Sequence, residues 1–250
     1  MRFHGKTALI TGAGTGLGRA FARALTDDGA AVVIADVDAE AADHTAAQLN
    51  ETGGRAVAVH CDVTDERQVG DAVAGAIDRF GGVDILVNNA GLHLMKYNQP
   101  FSVLSRNDVR ALFDVNVMGV VNCTLACREV MRDRGGGVVV NISSIAGYAN
   151  VTPYGVSKLA VRGLTVAFAT ELAPDGIRVN GIAPGLTDTE NALADLPSAL
   201  VQHIVRERQL VHRLGTTDDI VAALLYLCSA EASFVTGETL RVSGGYPLDF

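Results

Sequence analysis

The 250-residue chain contains no tryptophan, and it has only three lysines, five tyrosines and four cysteines. It has no run of Lys or Arg and carries a formal net charge of −8, which argues against binding to the phosphates of nucleic acid. The cysteines and histidines show no metal-ligand spacing. No apolar stretch approaches the roughly 18 residues of a membrane span, and a strand-like run at the N-terminus leaves no room for a signal peptide. These absences predict a cytoplasmic protein without a metal site or a membrane partner.

Short runs rich in Val, Ile and Ala alternate with amphipathic stretches along the whole chain. Continuously apolar strands are buried on both faces of a sheet, and their alternation with helices indicates parallel βαβ units. Strands are predicted at 7–11, 31–35, 55–60, 84–89, 137–143, 177–184 and 239–244, and helices near 17–28, 38–52, 65–80, 105–132, 154–173 and 217–229. We therefore predict an α/β fold, a single-domain doubly wound parallel seven-stranded sheet of the Rossmann-like type, over residues 1–250. Segment 186–212 breaks the alternation and is a predicted substrate lid.

A glycine-rich turn, TGAGTGLG at residues 11–18, lies between the first predicted strand and the first helix. The pyrophosphate of a dinucleotide binds at such a helix N-terminus, where the backbone must approach without intervening side chains. The spacing is GxxxGxG, which differs from the more widespread GxGxxG. Its position directly after the first strand predicts a dinucleotide site made of Gly12, Thr15, Gly16, Leu17 and Gly18.

Asp36 ends the second predicted strand, 24 residues after Gly12. A carboxylate at this point can accept hydrogen bonds from the ribose of an adenosine. Its charge repels the 2′-phosphate of NADP, and neither Val37 nor residues 13–15 supply a compensating cation. The other interpretation is that Asp36 caps the following helix. The sequence favours NAD over NADP as the cofactor.

Six motifs occur in the same order as in a known enzyme family. Over essentially its whole length the chain resembles the short-chain dehydrogenase/reductases. The motifs are TGxxxGxG at 11–18, Asp62 in CDV, NNAG at 88–91, Asn116 in DVNVMG, YxxxK as Tyr154 and Lys158, and PG as Pro184 and Gly185. The C-terminal strand departs from the family pattern in one place, because Ser243 stands where Asp is more common.

The resemblance also implies which residues contact the cofactor. They are Asp62 and Val63 at the adenine, Asn89, Ala90 and Gly91 on the side of the adenosine ribose, and Pro184, Gly185, Thr187 and Thr189 at the nicotinamide. Thr187 and Thr189 are alternative candidates for the carboxamide or phosphate contact. Tyr154 and Lys158 complete the set.

Tyr154 and Lys158 are four residues apart on a predicted helix and therefore share a face. Hydride transfer between a secondary alcohol and NAD requires a proton to leave or reach the substrate oxygen, and a free tyrosine with a pKa of about 10 is a poor base at neutral pH. We expect the charges of Lys158 and of oxidised nicotinamide to lower the pKa of Tyr154. The resemblance implies that Tyr154 is the acid/base, that Lys158 also holds the nicotinamide ribose, and that Asn116 holds a water in a proton relay.

Two adjacent serines, Ser143 and Ser144, precede the tyrosine. Ser144 lies ten residues before Tyr154, a shorter interval than is usual in the family, so spacing alone does not choose between the serines. Successive side chains on a strand face opposite sides, so only one hydroxyl is expected to point toward the substrate. The family places the working hydroxyl second, which favours Ser144. We expect the short loop to trim one wall of the pocket without displacing this hydroxyl.

The expected activity is NAD-dependent oxidation of a secondary alcohol or reduction of a ketone, and the resemblance implies a homotetramer that pairs the helices near 105–132 and 154–173. Within the enzyme class, the alternatives are an NADPH-dependent 3-oxoacyl reductase and a cis-dihydrodiol dehydrogenase. Outside it, they are a non-catalytic dinucleotide-sensing protein and a methyltransferase, neither of which needs the Tyr–Lys pair. The substrate itself is not predicted; Leu94, Met95, Leu193 and Leu196 are candidates for an apolar pocket wall or for ordinary loop packing.

Overall fold

Seven parallel strands form one sheet in the computed structural model, which describes residues 1–92, 94–149, 151–188 and 198–246. The strands are β1 (Thr7–Thr11), β2 (Ala31–Asp36), β3 (Arg55–His60), β4 (Ile85–Asn88), β5 (Gly137–Ile142), β6 (Ile177–Pro184) and β7 (Thr239–Val242). They are arranged in the order β3-β2-β1-β4-β5-β6-β7, and every neighbouring pair is parallel. The predicted fold is confirmed.

Helices cover both faces of the sheet. They are α1 (Gly16–Asp27), α2 (Ala39–Glu51), α3 (Glu66–Phe80), α4 (Leu94–Tyr97), α5 (Arg106–Phe113), α6 (Gly119–Asp133), α7 (Ala146–Ala149), α8 (Pro153–Leu172), α9 (Ser198–His203) and α10 (Thr217–Cys228). α1, α2 and α10 share one apolar core with one set of strand side chains, and α3, α6 and α8 share the other core. Along β1, Ala8 and Ile10 enter the first core and Leu9 enters the second, because side chains alternate on a strand.

The long elements begin and end close to the predicted positions, and the short ones were not predicted. The fifth strand ends at Ile142, one residue earlier than expected, so both serines follow the strand. α4, α7 and α9 are each only four to six residues long and lack the periodicity of a longer helix. Of the predicted lid, residues 189–197 lie outside the described part of the chain.

The helical run Arg106–Asp133 passes from α5 into α6 through a wide π-helical turn at Asp114–Met118. Its 28 residues are long and apolar enough to cross a membrane by length and composition, so the expectation that no stretch approaches that length was wrong. Cys127 and Met131 of α6 are fully buried against the sheet. The core helix of a globular domain meets the same criterion, so the run is weak support for a membrane role.

The strand order reverses at β1 and β4: β2 and β3 are added on one side of β1, and β4 to β7 are added on the other, while all strands stay parallel. In open parallel sheets a crevice forms at this point, beyond the carboxyl ends of the strands. The described part of the chain has a cavity of about 590 Å³ there, lined by residues that follow β1, β2, β3, β4, β5 and β6.

Candidate active site

The turn after β1 is held by close backbone packing at two of its three predicted glycines. Gly12 has a φ of +62°, and a Cβ there would lie 2.8 Å from the Cα of Ala90. A Cβ on Gly18 would overlap the carbonyl oxygen of Gly12, whereas one on Gly16 would meet nothing within 4 Å. Gly12 and Gly18 are therefore needed for packing, and Gly16, with a φ of +54°, is needed for its conformation and leaves the space in front of α1 open.

The N-terminus of α1 differs from those of the other long helices that begin after a loop; α6, which continues from the π-helical turn, also lacks a side-chain cap. In α2, α3, α5, α8 and α10, a first-turn N–H group donates to the side chain of the residue just before the helix. These capping residues are, in the same order, Asp38, Asp65, Ser105, Thr152 and Thr216. Thr15, which precedes α1, makes no such bond, and the first turn of α1 has no acidic residue. The N–H groups and the positive end of the helix dipole are thus directed at the cavity, the arrangement that binds a phosphate group.

Asn89 attaches the glycine turn to β4. Its Nδ2 donates to the carbonyl oxygens of Thr11 at 2.9 Å and Gly12 at 2.8 Å. The Thr11 hydroxyl in turn accepts from the backbone N–H groups of Asn89 and Ala90. The NNAG motif therefore sets the floor of the cavity by holding two strand ends together.

The carboxylate of Asp36 accepts hydrogen bonds from the N–H groups of Gly14 at 2.8 Å and Asp38 at 3.0 Å. The cap of α2 is instead Asp38, whose side chain accepts from Ala41, so the alternative capping role for Asp36 is wrong. Asp62 lies in the next strand-end loop, where its Oδ1 accepts from the N–H and hydroxyl of Thr64. Both carboxylates line the cavity.

The two serines differ in what they contact. Ser143 is buried, and its hydroxyl donates to the carbonyl oxygen of Lys158 at 2.8 Å. Ser144 is hydrogen-bonded to Tyr154 through its side chain and also accepts from the N–H of Ala146 at 3.2 Å. The structure therefore brings Ser144 and Tyr154 together and uses Ser143 to hold α8.

The loop between Ser144 and Tyr154 is fixed to α8. A Cβ on Gly147 would lie 2.8 Å from the carbonyl carbon of Lys158, so the loop touches the helix backbone directly. Arg162 donates to the carbonyl oxygen of Gly147 at 3.0 Å, and its guanidinium lies 3.6 Å from the centre of the Tyr148 ring. This attachment accounts for how a short loop still delivers Ser144 to the tyrosine.

Lys158 and Tyr154 lie on the first turns of α8, with Nζ of Lys158 5.8 Å from the centre of the tyrosine ring. Lys158 is buried and donates to the carbonyl oxygen of Ile142 at 2.9 Å, and burial lowers its pKa to about 8. Burial raises the pKa of Tyr154 to about 12, against a lowering contribution from the Ser144 hydrogen bond. The expected lowering of the tyrosine pKa by Lys158 is therefore not found in the protein by itself.

Asn116 lies in the π-helical turn and is 1 % exposed. Its Oδ1 accepts from the N–H of Leu92 at 2.8 Å, and its Nδ2 donates to the hydroxyl of Ser157 at 3.1 Å. Both polar atoms of the Asn116 side chain are thus hydrogen-bonded to other residues of the protein. A Cβ on Gly91 would come within 3.3 Å of Asn116 Oδ1 and 3.4 Å of Lys158 Nζ. Asn116, Gly91 and Lys158 meet at one point beside the cavity.

Most of the predicted site residues line this one cavity. Those that do are Gly12, Thr15, Gly16, Leu17, Asp36, Asp62, Val63, Asn89, Ala90, Gly91, Ser144, Tyr154, Lys158, Pro184, Gly185 and Thr187. Gly18 and Asn116 lie behind the lining, and Thr189 lies outside the described residues. The buried Thr187 donates to the carbonyl oxygen of Gly185 at 3.1 Å.

The cavity is also lined by Ser143, the serine that the sequence did not favour, and by residues that sequence reasoning missed: Val37, Cys61, Leu92, Val115, Ile142 and Leu186. All of them except Ile142 are sequence neighbours of a predicted residue, so extending each motif by one position would have found every one but Ile142. Among the described residues, no group of three or more His, Cys, Asp or Glu side chains could hold a metal ion.

Comparison with known proteins identifies the family. A family model described as enoyl-(acyl carrier protein) reductase matches residues 12–247. The chain is 39 % identical over 248 residues to 7α-hydroxysteroid dehydrogenase of Escherichia coli strain K12, covering 98 % of this chain and 95 % of the relative. The chain belongs to the short-chain dehydrogenase/reductase family.

Other members of the family match at similar levels. The cis-4-hydroxycyclohexanecarboxylate dehydrogenase of Sinomonas cyclohexanicum is 41 % identical over 254 residues, with 98 % of this chain and 97 % of the relative covered. A solved structure of 7α-hydroxysteroid dehydrogenase complexed with NADH and 7-oxo-glycochenodeoxycholic acid superposes with a TM-score of 0.91 at 36 % identity and covers 98 % of this chain and 95 % of that one. This short-chain dehydrogenase/reductase is therefore an oxidoreductase.

Short-chain dehydrogenase/reductases use a nicotinamide dinucleotide. The residues of this chain fit such a cofactor on three observations: the uncapped N-terminus of α1, the open space at Gly16, and the carboxylates of Asp36 and Asp62 on the cavity wall. The N–H groups of α1 would hold the pyrophosphate, and the two carboxylates would lie on the adenosine side.

Proposed function

We propose that the protein is an NAD-dependent secondary alcohol dehydrogenase or ketone reductase with Tyr154 as its acid/base. The observation that carries this proposal is that Ser144, Tyr154 and Lys158 line one dinucleotide-sized cavity, with Nζ of Lys158 5.8 Å from the centre of the tyrosine ring. When bound, the nicotinamide supplies the donor or acceptor of hydride. The protein must then supply or remove one proton at the substrate oxygen.

Tyr154 Oη is placed to handle that proton. In ketone reduction it donates its proton to the carbonyl oxygen, and in alcohol oxidation it accepts the hydroxyl proton. The Ser144 hydroxyl orients the substrate oxygen and stabilises the negative charge that develops there. Burial raises the pKa of Tyr154 to about 12, so the tyrosine is protonated at neutral pH in the absence of the cofactor.

Lys158 and Asn116 support the tyrosine. Lys158 keeps an ammonium with a pKa of about 8 close to the ring, and its charge together with that of a bound oxidised nicotinamide would favour the phenolate during alcohol oxidation. Its Nζ would also hold the nicotinamide ribose. Asn116 lies close to Lys158, and because its side chain is bonded to Leu92 and Ser157, a relay water would have to contact its main chain.

The preference for NAD rests on the charges at the adenosine side of the cavity. Asp36 and Asp62 line that side, and among the residues that line the described cavity Lys158 is the one cation. Lys158 lies after β5, whereas Asp36 ends β2. Two strands, β1 and β4, lie between β2 and β5, so Lys158 is on the other side of the cavity from Asp36. A 2′-phosphate would therefore meet carboxylates without a compensating cation.

The test is a panel of secondary alcohols and ketones with NAD(H) and NADP(H), followed at the nicotinamide absorbance. The relatives' names, 7α-hydroxysteroid and cis-4-hydroxycyclohexanecarboxylate dehydrogenase, support starting with ring alcohols. A 3-oxoacyl thioester with NADPH represents the rival reductase. NAD-linked turnover of a ring alcohol that is lost in Tyr154→Phe is the expected result, and turnover confined to the thioester with NADPH would favour the rival.

We also propose a cytoplasmic homotetramer. Apolar side chains stand exposed on the two long helices of one molecule, at 47 % for both Met118 and Leu125 and 57 % for Val166. Pairing of these helices with a second copy would cover them. Light scattering coupled to size exclusion is expected to give four times the chain mass of 26.1 kDa.

A further inference from the structure

Ser157 lies between the proposed acid/base and Asn116, but it faces away from the cavity. It is fully buried on α8, one residue before Lys158. Its hydroxyl donates to the carbonyl oxygen of Tyr154 at 2.7 Å and accepts from Nδ2 of Asn116 at 3.1 Å. It therefore connects the π-helical turn of Asn116 directly to the turn of α8 that carries the tyrosine.

The hydrogen-bonding inventory determines the orientation of the Asn116 amide. The N–H of Leu92 can only donate, so it requires Oδ1 of Asn116. The single proton of the Ser157 hydroxyl is used on Tyr154, so this oxygen can only accept and requires Nδ2. With Asn116 1 % exposed and Ser157 0 % exposed, water is not available to replace either partner.

The turn at Asp114–Met118 needs such support from outside. The N–H of Gly119 bonds to the carbonyl oxygen of Asp114, five residues earlier, which is the wide spacing of a π-helical turn. Such turns are less favourable than α-helix and persist where tertiary contacts hold them. Asn116 lies at the middle of the turn and is anchored on one side by Leu92 and on the other by Ser157.

We propose that Ser157 is a positioning residue that holds the Asn116 turn in register with Tyr154 and Lys158. This inference rests on the proposed function for its kinetic consequence. A shift of Asn116 would reach Lys158 and Gly91, because all three meet within van der Waals distance of one point. Ser157 lines no part of the described cavity, so its effect on the reaction passes through Asn116.

The test compares Ser157→Ala with Thr165→Val. Thr165 is an equally buried hydroxyl on the same helix, which donates to the carbonyl oxygen of Val161 and accepts from Nδ2 of Asn141, so the control breaks the same kinds of bond farther from the site. Ser157→Ala is expected to lower kcat by roughly 10-fold, equal to about 1.4 kcal/mol, with the dissociation constant for NAD nearly unchanged. Thr165→Val should lose stability and keep kcat.

Two further measurements separate positioning from general damage. In an Asn116→Ala background, adding Ser157→Ala should cost no further activity, because both changes act through one residue. Hydrogen exchange of the Leu92 amide should be faster in Ser157→Ala than in the wild type and unchanged in Thr165→Val, since only the former releases Asn116 Oδ1.

Any one of three results would overturn the proposal. They are an equal loss of kcat in Ser157→Ala and Thr165→Val, a loss of activity in the Asn116→Ala/Ser157→Ala double variant that is the sum of the two single losses, and unchanged hydrogen exchange at the Leu92 amide in Ser157→Ala. The exchange measurement needs no substrate, so it decides the positioning role even if the alcohol panel shows no turnover and the proposed function fails. Should Ser157→Ala not fold, Ser157→Cys, which keeps the side chain but weakens its hydrogen bonds, replaces it with the same expected and overturning results.

Discussion

The two ends of the cavity are built differently. At the adenosine end, the carboxylate of Asp36 is fixed by two backbone N–H groups, and the glycine turn is packed against Ala90 without space for a side chain. At the proton-transfer end, burial lowers the pKa of Lys158 to about 8 and raises that of Tyr154 to about 12. The adenosine end is thus fixed in shape and charge, whereas the other end holds two ionisable groups whose pKa values burial has shifted, as is common at catalytic sites.

The largest expected effect tests the proton-transfer end. Tyr154→Phe removes the proposed acid/base group while keeping the ring, so kcat should fall by roughly 1000-fold, within the range for general acid–base catalysis. Dinucleotide affinity, which depends on the adenosine end, should remain close to that of the wild type. Steady-state kinetics and a fluorescence titration with NADH measure the two quantities.

A matched control for that change is Tyr226→Phe, since Tyr226 is a partly exposed tyrosine on α10, away from the cavity. It should leave both quantities unchanged. If Tyr154→Phe retained most of its activity, or lost affinity as strongly as kcat, the division between the two ends would be wrong.

The second effect separates the two serines. Ser144→Ala should lower kcat/KM by roughly 100-fold, as loss of one oriented donor to a developing oxyanion does, and Ser143→Ala should cost far less. The Ser144 hydrogen bond lowers the pKa of Tyr154, so its removal raises that pKa. Half-maximal alcohol oxidation should therefore move to higher pH in Ser144→Ala. A larger kcat/KM loss in Ser143→Ala would show that the working serine has been misidentified.

The third effect tests packing at the adenosine end. Gly18→Ala places a Cβ against the Gly12 carbonyl oxygen, and overpacking of this kind costs about 1–3 kcal/mol in the free energy of unfolding. Gly16→Ala meets no atom within 4 Å and should cost only the backbone strain of its positive φ, about 1 kcal/mol. Urea unfolding compares the two variants, and a larger cost at Gly16 would contradict the packing argument.

The smallest effect concerns cofactor choice. NAD should be preferred over NADP by at least about 10-fold in kcat/KM, which corresponds to roughly 1.4 kcal/mol. The reason is repulsion between Asp36 and a 2′-phosphate. Asp36→Asn should therefore reduce the ratio of kcat/KM with NAD to kcat/KM with NADP, while the pH dependence of alcohol oxidation stays unchanged. Equal or better turnover with NADP in the wild-type enzyme would contradict the proposal that Asp36 selects against the 2′-phosphate.

The sequence alone determined the order and type of the long elements and the composition of the adenosine end. Strand and helix periodicities are local, and the glycine turn and Asp36 lie within residues 11–36. Short-range patterns of this kind are visible in a sequence because the residues that make them are neighbours in the chain. The same locality explains why the pairing of Tyr154 with Lys158 could be predicted from their spacing on one helix.

Only the tertiary structure decided which side chains meet at the proton-transfer end. That Ser144 bonds to Tyr154 while Ser143 holds α8 depends on how the short loop packs on Lys158 and Arg162. That Ser157 connects to Asn116 depends on two helices 41 residues apart in the chain. The pKa of Tyr154 is raised because the side chain is buried. Burial depends on how the whole molecule packs, so it could not be predicted from the spacing of residues in the sequence.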